Sequence, residues 1–302
     1  MDFSIIIATY DRAESLDRLL RSVAEHFVKS SIAFEVIVAN NARDETSARR
    51  MDAVIGKFID AMPSRFRQIR ETSAGKCRAQ NRAIAQAKGA ILGFFDDDVQ
   101  LTPEWLQVAA KFFQDKPQYD VMQGPILMPP EWRNNEEFLR AHQRYRTINF
   151  VQYSAKMTDI RTLTGANMAI RREVFNRVGL FNEALGPGRS GISEDVEFAQ
   201  RVLRSGMRIG YEPGAGVFHE VDWRRLSEEF FRERHEQQGR SRLIYKKQST
   251  ASIVPNLLRS VWTLGWYSLV GNERKKYRAK GRYFHYRAML IEKTKRTVGN
   301  QA

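Results

Sequence analysis

Residues 90–98 read AILGFFDDD, an apolar run that passes directly into three aspartates, Asp96, Asp97 and Asp98. The apolar part is short and continuous, which is typical of a strand buried on both faces. Adjacent carboxylates repel one another, so a fold that places three at a strand end usually neutralises them with a cation. Hard oxygen ligands suit Mg²⁺ or Mn²⁺, which keep open positions for substrate phosphates. The segment therefore predicts a metal and diphosphate site; the alternative is a solvated acidic turn before the next helix.

The chain upstream of this segment alternates between buried strands and amphipathic helices. We predict strands at 3–8, 34–39, 66–71 and 90–95, and helices at 15–27, 45–62 and 75–88. This order is typical of an α/β fold with a mostly parallel sheet flanked by helices. Ligands bind beyond the carboxyl ends of the strands in such sheets, so the polar segments 9–12, 40–44 and 96–98 should converge.

Downstream of the triplet the pattern is less regular. We predict helices at 102–113, 136–146 and 194–205, strands at 121–128 and 208–211, and a helical tail. A second acidic pair, Glu194 and Asp195, lies at the start of the helix at 194–205. Acidic residues are common in a first helical turn, which is one explanation of the pair; the other is a general base that accepts the proton of an attacking hydroxyl.

Two weaker signals accompany the carboxylates. His219 follows a glycine-containing segment, where a lone histidine is either a packed side chain or a metal ligand. Gly75 and Lys76 open a predicted helix, whose N-terminus could hold a phosphate. The sequence has no Walker motif, no GxGxxG after the first strand and no Cys/His metal cluster, which argues against those site classes.

The positive charge of the chain is concentrated in its last quarter. Residues 223–302 contain 19 Lys or Arg against 6 Asp or Glu, whereas residues 1–222 contain 30 against 29. This basic tail favours a polyanionic partner, which could be an anionic membrane surface, a phosphorylated lipid or nucleic acid. We therefore divide the chain into a catalytic domain, 1–222, and a basic helical extension, 223–302.

The compartment follows from the cysteine count and the first residues. The one cysteine, Cys77, cannot form an internal disulfide, and the first residues do not resemble a secretory leader. We expect a cytoplasmic protein. The apolar segment 253–270 contains Pro255, Asn256 and Arg259, so it is a poor bilayer-spanning helix. It suits either a peripheral element on the inner face of the cell membrane or a helical cap on the catalytic domain.

Taken in order, several of these segments resemble the family-2 inverting glycosyltransferases of the GT-A fold. The resemblance spans roughly residues 3–222 and rests on the order of its motifs. They are SIIIATYDR (4–12), FEVIVANNARD (34–44), AGKCRAQN (74–81), FFDDDV (94–99), GANMA with RR (165–169 and 171–172), and ED (194–195).

The resemblance implies a role for each matching residue. Asp195 would be the catalytic base, with Glu194 beside it at the acceptor side. Asp98 would bind the metal, Mg²⁺ or Mn²⁺, together with His219. The residues implied in nucleotide-sugar binding are Thr9, Tyr10, Arg12, Asn40, Gly75, Lys76, Asp96, Asp97 and Asn167. The implied enzyme is a metal-dependent hexosyltransferase that transfers a sugar to a glycan or a lipid-linked sugar, with inversion at the anomeric carbon.

Two positions depart from the family pattern. Asn40 and Asn41 stand where an aspartate commonly reads the base, and because Asn can donate as well as accept, a uracil preference does not follow from this position. A UDP-sugar is the favoured donor, with GDP- and dTDP-sugars as alternatives. Gln80 stands where an arginine often precedes the asparagine, so one phosphate contact is either missing or supplied by Lys76 or Arg78.

Three other functions compete with this interpretation. A nucleic-acid-binding protein could use the basic tail, but the near-neutral first 222 residues argue against it, and we expect no nucleic-acid partner. A nucleotidyltransferase should have a glycine-rich loop after its first strand, and residues 9–12 contain no glycine. A non-catalytic nucleotide-binding relative is the third alternative.

Overall fold

The predicted alternation of strands and helices is present in the structure, a computed structural model that describes residues 1–28 and 30–299. The strands are β1 (Phe3–Thr9), β2 (Phe34–Asn40), β3 (Phe66–Arg70), β4 (Ile91–Asp96), β5 (Val99–Leu101), β6 (Val121–Gln123), β7 (Ile126–Leu127), β8 (Asp159–Ile160), β9 (Asn167–Arg171), β10 (Ile209–Tyr211) and β11 (Val217–His219). The helices are α1 (Ala13–Phe27), α2 (Glu45–Ala61), α3 (Lys76–Gln86), α4 (Trp105–Asp115), α5 (Glu136–Tyr145), α6 (Arg172–Val178), α7 (Glu194–Arg204), α8 (Glu228–Tyr245), α9 (Thr250–Leu269) and α10 (Glu273–Gly299).

Eight of the strands form one sheet, in the order β3-β2-β1-β4-β9-β6-β10-β8. The first four are parallel, β9 runs antiparallel to both β4 and β6, and β10 is parallel to β6. The predicted α/β fold with a mostly parallel sheet is therefore confirmed. A second, three-stranded sheet has the order β5-β11-β7.

Side chains of the first strand alternate between two apolar layers. Ile5 and Ile7 pack with the buried residues of α1, α2 and α4, whereas Ile6 packs with those of α3, α6 and α7. Both faces of the sheet are thus covered, which explains why the strand sequence is continuously apolar.

The predicted strand at 121–128 is wrong as a single element. It consists of β6 in the large sheet and β7 in the small one, separated by Gly124 and Pro125. Pro125 has no N–H to donate to a ladder, although its carbonyl accepts a bond from Val217. A side chain on Gly124 would collide with the carbonyl oxygen of Ala215.

The chain divides into two compact units. Unit 1 comprises residues 1–129, 150–183 and 194–220, and it contains every strand named above. Unit 2 comprises residues 130–149, 184–193 and 221–302, with α5, α8, α9 and α10. Unit 2 thus includes two earlier segments besides the predicted extension at 223–302, and the boundary at residue 222 stays a prediction.

Unit 2 is helical, as predicted for the tail. Two glycines allow α8 and α10 to approach closely: a side chain on Gly239 would meet the backbone of His285, and one on Gly281 would meet the ring of His235. Among the helices in the described part of the chain, none combines the length and the apolar character needed to cross a bilayer.

Candidate active site

The register of the parallel strands aligns three polar strand ends. Thr9 pairs with Asn40 across β1 and β2, and the neighbouring Ala8 pairs with Asp96 of β4. The segments 9–12, 40–44 and 96–98 therefore meet at the carboxyl edge of the sheet, as predicted. After Asp96 the chain turns into β5, whose pairing with β11 sets Val99 opposite His219.

Asp97 turns toward the end of β1. Its Oδ2 accepts hydrogen bonds from the Thr9 hydroxyl at 2.8 Å and from the backbone N–H of Tyr10 at 3.3 Å. Burial raises the pKa of Asp97 to about 6, although the charge of Arg12 opposes this rise. These bonds fix the loop that follows β1. The ring of Tyr10 in this loop is half exposed.

Arg12 neutralises two members of the triplet. Its Nη1 lies 2.7 Å from Asp98 Oδ2 and 3.0 Å from Asp97 Oδ1. Burial lowers the pKa of Arg12, but the charges of Asp97 and Asp98 outweigh burial and raise it. The Arg12 side chain is 44% exposed, so it enters the carboxylate group from the solvent side.

Asp98 also faces His219, with Oδ1 and Nε2 3.6 Å apart. The other ring nitrogen, Nδ1, lies 2.8 Å from the backbone oxygen of Glu220. Because a carbonyl oxygen only accepts, we assign a proton to Nδ1, and Nε2 is the ring nitrogen that faces the carboxylate. Among the described residues no set of three or more His, Cys, Asp or Glu side chains is arranged to hold a metal.

Lys76 connects the triplet to the second acidic pair. Its Nζ lies 2.5 Å from Asp96 Oδ1 and 3.2 Å from Glu194 Oε1. Burial opposes the charge of this ammonium, yet the neighbouring carboxylates raise the pKa of Lys76 well above its ordinary value. Arg78, the other candidate for a phosphate contact, is instead paired with Glu183 at 3.0 Å.

The loop before α3 depends on Asn41, which the sequence analysis noted as a departure from the family pattern but did not include among the site residues. Asn41 donates hydrogen bonds to the carbonyl oxygens of Glu71 and Ser73, at 2.7 and 2.9 Å, and accepts one from the N–H of Gly75 at 3.0 Å. Gly75 has φ 142°, a conformation that side chains rarely adopt. Asn41 thereby positions the first turn of α3, which carries Lys76. Its place directly after β2 was the signal available in the sequence.

Asp195 lies in the first turn of α7, next to the start of β9. Its Oδ2 accepts a hydrogen bond of 2.7 Å from the N–H of Gly165, and its Oδ1 accepts one from Val196. Burial and the neighbouring charge of Glu194 raise the pKa of Asp195 to about 6, against the effects of Gly165 and Lys76. A carboxylate in this range can accept a proton near neutral pH.

Two residues predicted to bind the nucleotide sugar have buried side chains that are engaged inside the protein. Asn40 donates to the Ala48 carbonyl and to Asp52, and accepts from the N–H of Ala42. Asn167 accepts from the Trp105 indole at 2.8 Å, and donates to the carbonyls of Pro125 and Ala215. Both carboxamides therefore hold loops together, and we do not place them in the donor site.

Comparisons with known proteins identify the family of the chain. The model of glycosyl transferase family 2 matches residues 4–179, and that of glycosyl transferase family group 2 matches residues 93–297. The glycosyltransferase AglE of Haloferax volcanii is 24% identical over 69% of this chain. A glucosyl-dolichyl phosphate glucuronosyltransferase of the same organism is 23% identical over 74% of this chain and 72% of its own length. The match spans only 63% of AglE.

Solved structures show the same fold. The mannosyltransferase PcManGT from Pyrobaculum calidifontis, in complex with GDP-Man and Mn²⁺, superimposes with a TM-score of 0.61 at 17% identity, over 96% of this chain and 86% of that one. Residues 1–349 of Staphylococcus aureus TarS, in complex with UDP-GlcNAc, give a TM-score of 0.54 at 18% identity, over 98% and 92% of the two chains. The family match covers more than half of the chain, and the chain belongs to glycosyl transferase family 2, with the GT-A fold.

Proposed function

We propose that the protein is an inverting glycosyltransferase that transfers a sugar from a nucleotide-sugar donor to a hydroxyl group of an acceptor. The observation that carries this proposal is the position of Asp195, which is held by Gly165 near the ammonium of Lys76. Lys76 in turn contacts Asp96 at the edge of the sheet. A base with a raised pKa thus adjoins the strand ends where GT-A enzymes bind nucleotides.

The proposed reaction is a single displacement. Asp195 accepts the proton of the acceptor hydroxyl as its oxygen attacks the anomeric carbon, and the bond from that carbon to the diphosphate oxygen breaks. The bonding electrons leave with the nucleoside diphosphate, and attack from the opposite face inverts the anomer. Lys76 keeps Glu194 charge-compensated beside the base, so that the pKa of Asp195 does not rise further.

For the donor, we propose a UDP-sugar, with GDP- and dTDP-sugars as alternatives. The half-exposed Tyr10 ring can stack on the base, and Asp96 together with the loop at Arg12 and Gly75 would adjoin the ribose and diphosphate. The TarS complex with UDP-GlcNAc supports a uridine donor, whereas the PcManGT complex contains GDP-Man. Because Asn40 is engaged with Asp52, it would not read the base.

The residues that would hold Mg²⁺ or Mn²⁺ are Asp98 and His219. They fit such an ion, because an oxygen of the Asp98 carboxylate and Nε2 of His219 face each other at 3.6 Å, and Nδ1 of the ring is held by the Glu220 carbonyl. Two protein ligands leave the remaining positions to water and phosphate oxygens. When bound, the ion would neutralise charge on the diphosphate.

For the acceptor, we propose a glycan or a lipid-linked sugar. The dolichyl phosphate named for the Haloferax volcanii relative supports a lipid-linked sugar. Glycan acceptors are supported by the resemblance of this chain to hyaluronan and chondroitin synthases, which are 22% identical over 72% of it.

A donor screen tests the proposal. The full chain is incubated with UDP-, GDP- and dTDP-sugars and Mn²⁺, and release of the nucleoside diphosphate is measured with and without a panel of sugar acceptors. We expect one donor to be consumed, and Asp195→Asn to lower turnover by about 10³-fold while binding of that donor, measured by calorimetry, is retained. Full turnover by Asp195→Asn contradicts the assigned base. Donor binding without turnover by the wild type would favour a non-catalytic nucleotide-binding protein.

A further inference from the structure

Unit 2 carries the whole net charge of the protein. Its sequence contains 24 Lys or Arg against 10 Asp or Glu, a net charge of +14, whereas unit 1 contains 25 against 25 and is neutral. A charge of this size attracts a polyanionic surface and repels a second copy of the same unit.

One face of α9 is apolar and unusually exposed. Leu258, Val261, Trp262, Trp266 and Leu269, which we call the α9 ridge, are each between 49% and 84% exposed. Their spacing of three and four residues sets them along one side of the helix, away from its buried residues Ile253 and Ser260. Monomeric proteins rarely expose so many large apolar side chains in one strip unless the strip has a partner.

The composition of α9 suits the boundary of a bilayer. The helix contains no acidic residue, and Arg259 is its one charge. The rings of Trp262 and Trp266 stack at 6.3 Å with an angle of 4°. From Leu258 to Leu269 the ridge measures only about 16 Å, which is too short to span a membrane and long enough to lie in its interface.

Basic residues flank the ridge at both ends. Lys246 and Lys247 precede α9, and Arg274 and Lys275 follow it, all of them exposed. Within the described residues, no carboxylate lies within 4 Å of the charged groups of Lys246, Lys247 or Arg274.

The pair before α9 also lines a cavity of about 360 Å³. The basic residues of its wall are Lys246, Lys247, Lys293 and Arg296, and it contains no acidic side chain. Arg296 is paired with Glu292 at 3.1 Å and Lys293 donates to the Gln248 carbonyl, so an anion the size of a phosphate group would be compensated there chiefly by Lys246 and Lys247. We call this cavity the basic pocket.

We propose that unit 2 docks on an anionic lipid surface, with the α9 ridge in the interface and a headgroup phosphate in the basic pocket. Apolar side chains alone would accept any hydrophobic partner, but the flanking cations and the pocket select a negatively charged one. A nucleic acid would satisfy the cations and leave the ridge in water. The inference rests on the proposed function in that it names the surface where a lipid-linked acceptor would be met.

The test is flotation of the full chain with phosphatidylcholine vesicles, with and without phosphatidylglycerol, in the absence of donor and acceptor. We expect binding only to the vesicles that contain phosphatidylglycerol, a decrease of binding with added salt, and a blue shift of tryptophan fluorescence. Asp195→Asn should bind equally well, so a failed catalytic assignment and a failed docking surface give different results.

Matched variants assign the binding to the proposed residues. Trp262→Ser with Trp266→Ser should lower vesicle affinity more than 10-fold, and Lys246→Gln with Lys247→Gln about 30-fold. The control pair Lys57→Gln with Lys156→Gln removes the same charge from exposed sites of unit 1 and should bind normally. Thermal unfolding of each variant checks that it is folded, and donor turnover in solution should be unchanged.

Three outcomes would overturn the proposal. They are equal binding to vesicles without phosphatidylglycerol, normal binding by the tryptophan variant, and a dimer in solution that this variant dissociates while no vesicle is bound. The last outcome would assign the ridge to a second copy of the chain.

Discussion

The ammonium nitrogen of Lys76 lies 2.5 Å from Oδ1 of Asp96, and the same nitrogen reaches Glu194 at 3.2 Å. Lys76, in the first turn of α3, thus joins the aspartate triplet to the acidic pair at the start of α7. Both carboxylates depend on this ammonium for charge compensation.

Replacement of Lys76 tests that dependence. Lys76→Met leaves Asp96 and Glu194 largely buried without their cation, and we expect a loss of about 3 kcal/mol in the free energy of unfolding. It also removes a charge that lowers the pKa of Asp195, so the acidic limb of the activity profile should move to higher pH. Urea unfolding and kcat measured across pH check the two effects. Lys76→Arg, which keeps the charge, should retain most of the stability and most of the wild-type pH profile. An unchanged pH profile in Lys76→Met would contradict the effect of the Lys76 charge on the pKa of Asp195.

The raised pKa of Asp195 has opposite consequences for activity and stability. Activity needs the ionised base, so kcat should fall as the pH decreases through about 6. The unfolded chain loses this proton near pH 3.8, so the folded state binds more protons between about 4 and 6. The contribution of Asp195 to stability therefore decreases as the pH rises through that window. The free energy of unfolding of the wild type and of Asp195→Asn, measured at several pH values, isolates the contribution of Asp195. Parallel curves for the two proteins would show that the pKa is not shifted.

Arg12 occupies the carboxylates that a divalent cation would need. Because Arg12 contacts both Asp97 and Asp98, we expect Arg12→Gln to bind Mn²⁺ roughly 10-fold more tightly in the absence of donor. Electron paramagnetic resonance of free Mn²⁺ measures this directly. Arg43→Gln is the control, since it removes a charge paired with Asp11 at the same edge and leaves the triplet untouched. Weaker Mn²⁺ binding by Arg12→Gln would mean that Arg12 holds the carboxylates in place for the ion.

Asn41 and Asn167 form a matched pair, because each side chain makes three hydrogen bonds inside the protein. We expect either alanine variant to lose about 3 kcal/mol of stability. Asn41→Ala should also weaken donor binding, since it frees the loop that positions Lys76. Asn167→Ala should bind donor normally, as measured by calorimetry below its unfolding temperature. A selective loss of donor binding in Asn167→Ala would return that residue to the donor site.

The sequence predicts the parallel half of the sheet well because its signals are local. The apolar runs at 3–8, 34–39 and 90–95 are buried on both faces, so each one identifies a strand without reference to the others. β9 is different, because its five residues are recognisable as a strand only from their antiparallel position between β4 and β6. The break between β6 and β7 likewise depends on a distant residue, because the carbonyl of Ala215 lies where a side chain at Gly124 would be.

The candidate site was predictable in composition and less so in contacts. Residue types and order indicated the triplet, the acidic pair and His219, and the β5–β11 pairing places His219 beside Asp98. The partners of each carboxylate could not be read from the sequence, because they come from residues far away along the chain, as in the pairs of Lys76 with Glu194 and of Asp98 with His219. The engaged side chains of Asn40 and Asn167 show the same limit, since a buried amide that holds loops has the same residue type as one that binds a ligand.

The aspartate triplet is also the corner at which the chain leaves one sheet and enters another: β4 ends at Asp96 in the large sheet, and β5 begins at Val99 in the small one. Val99 and Leu101 are buried and Gln100 is exposed. An insertion or deletion of one residue in the turn would move every side chain of β5 to the opposite face of the small sheet. Gln100 would then enter the core, and Asp98 would be separated from His219. The spacing between the two sheets therefore constrains the length of this segment independently of its chemistry.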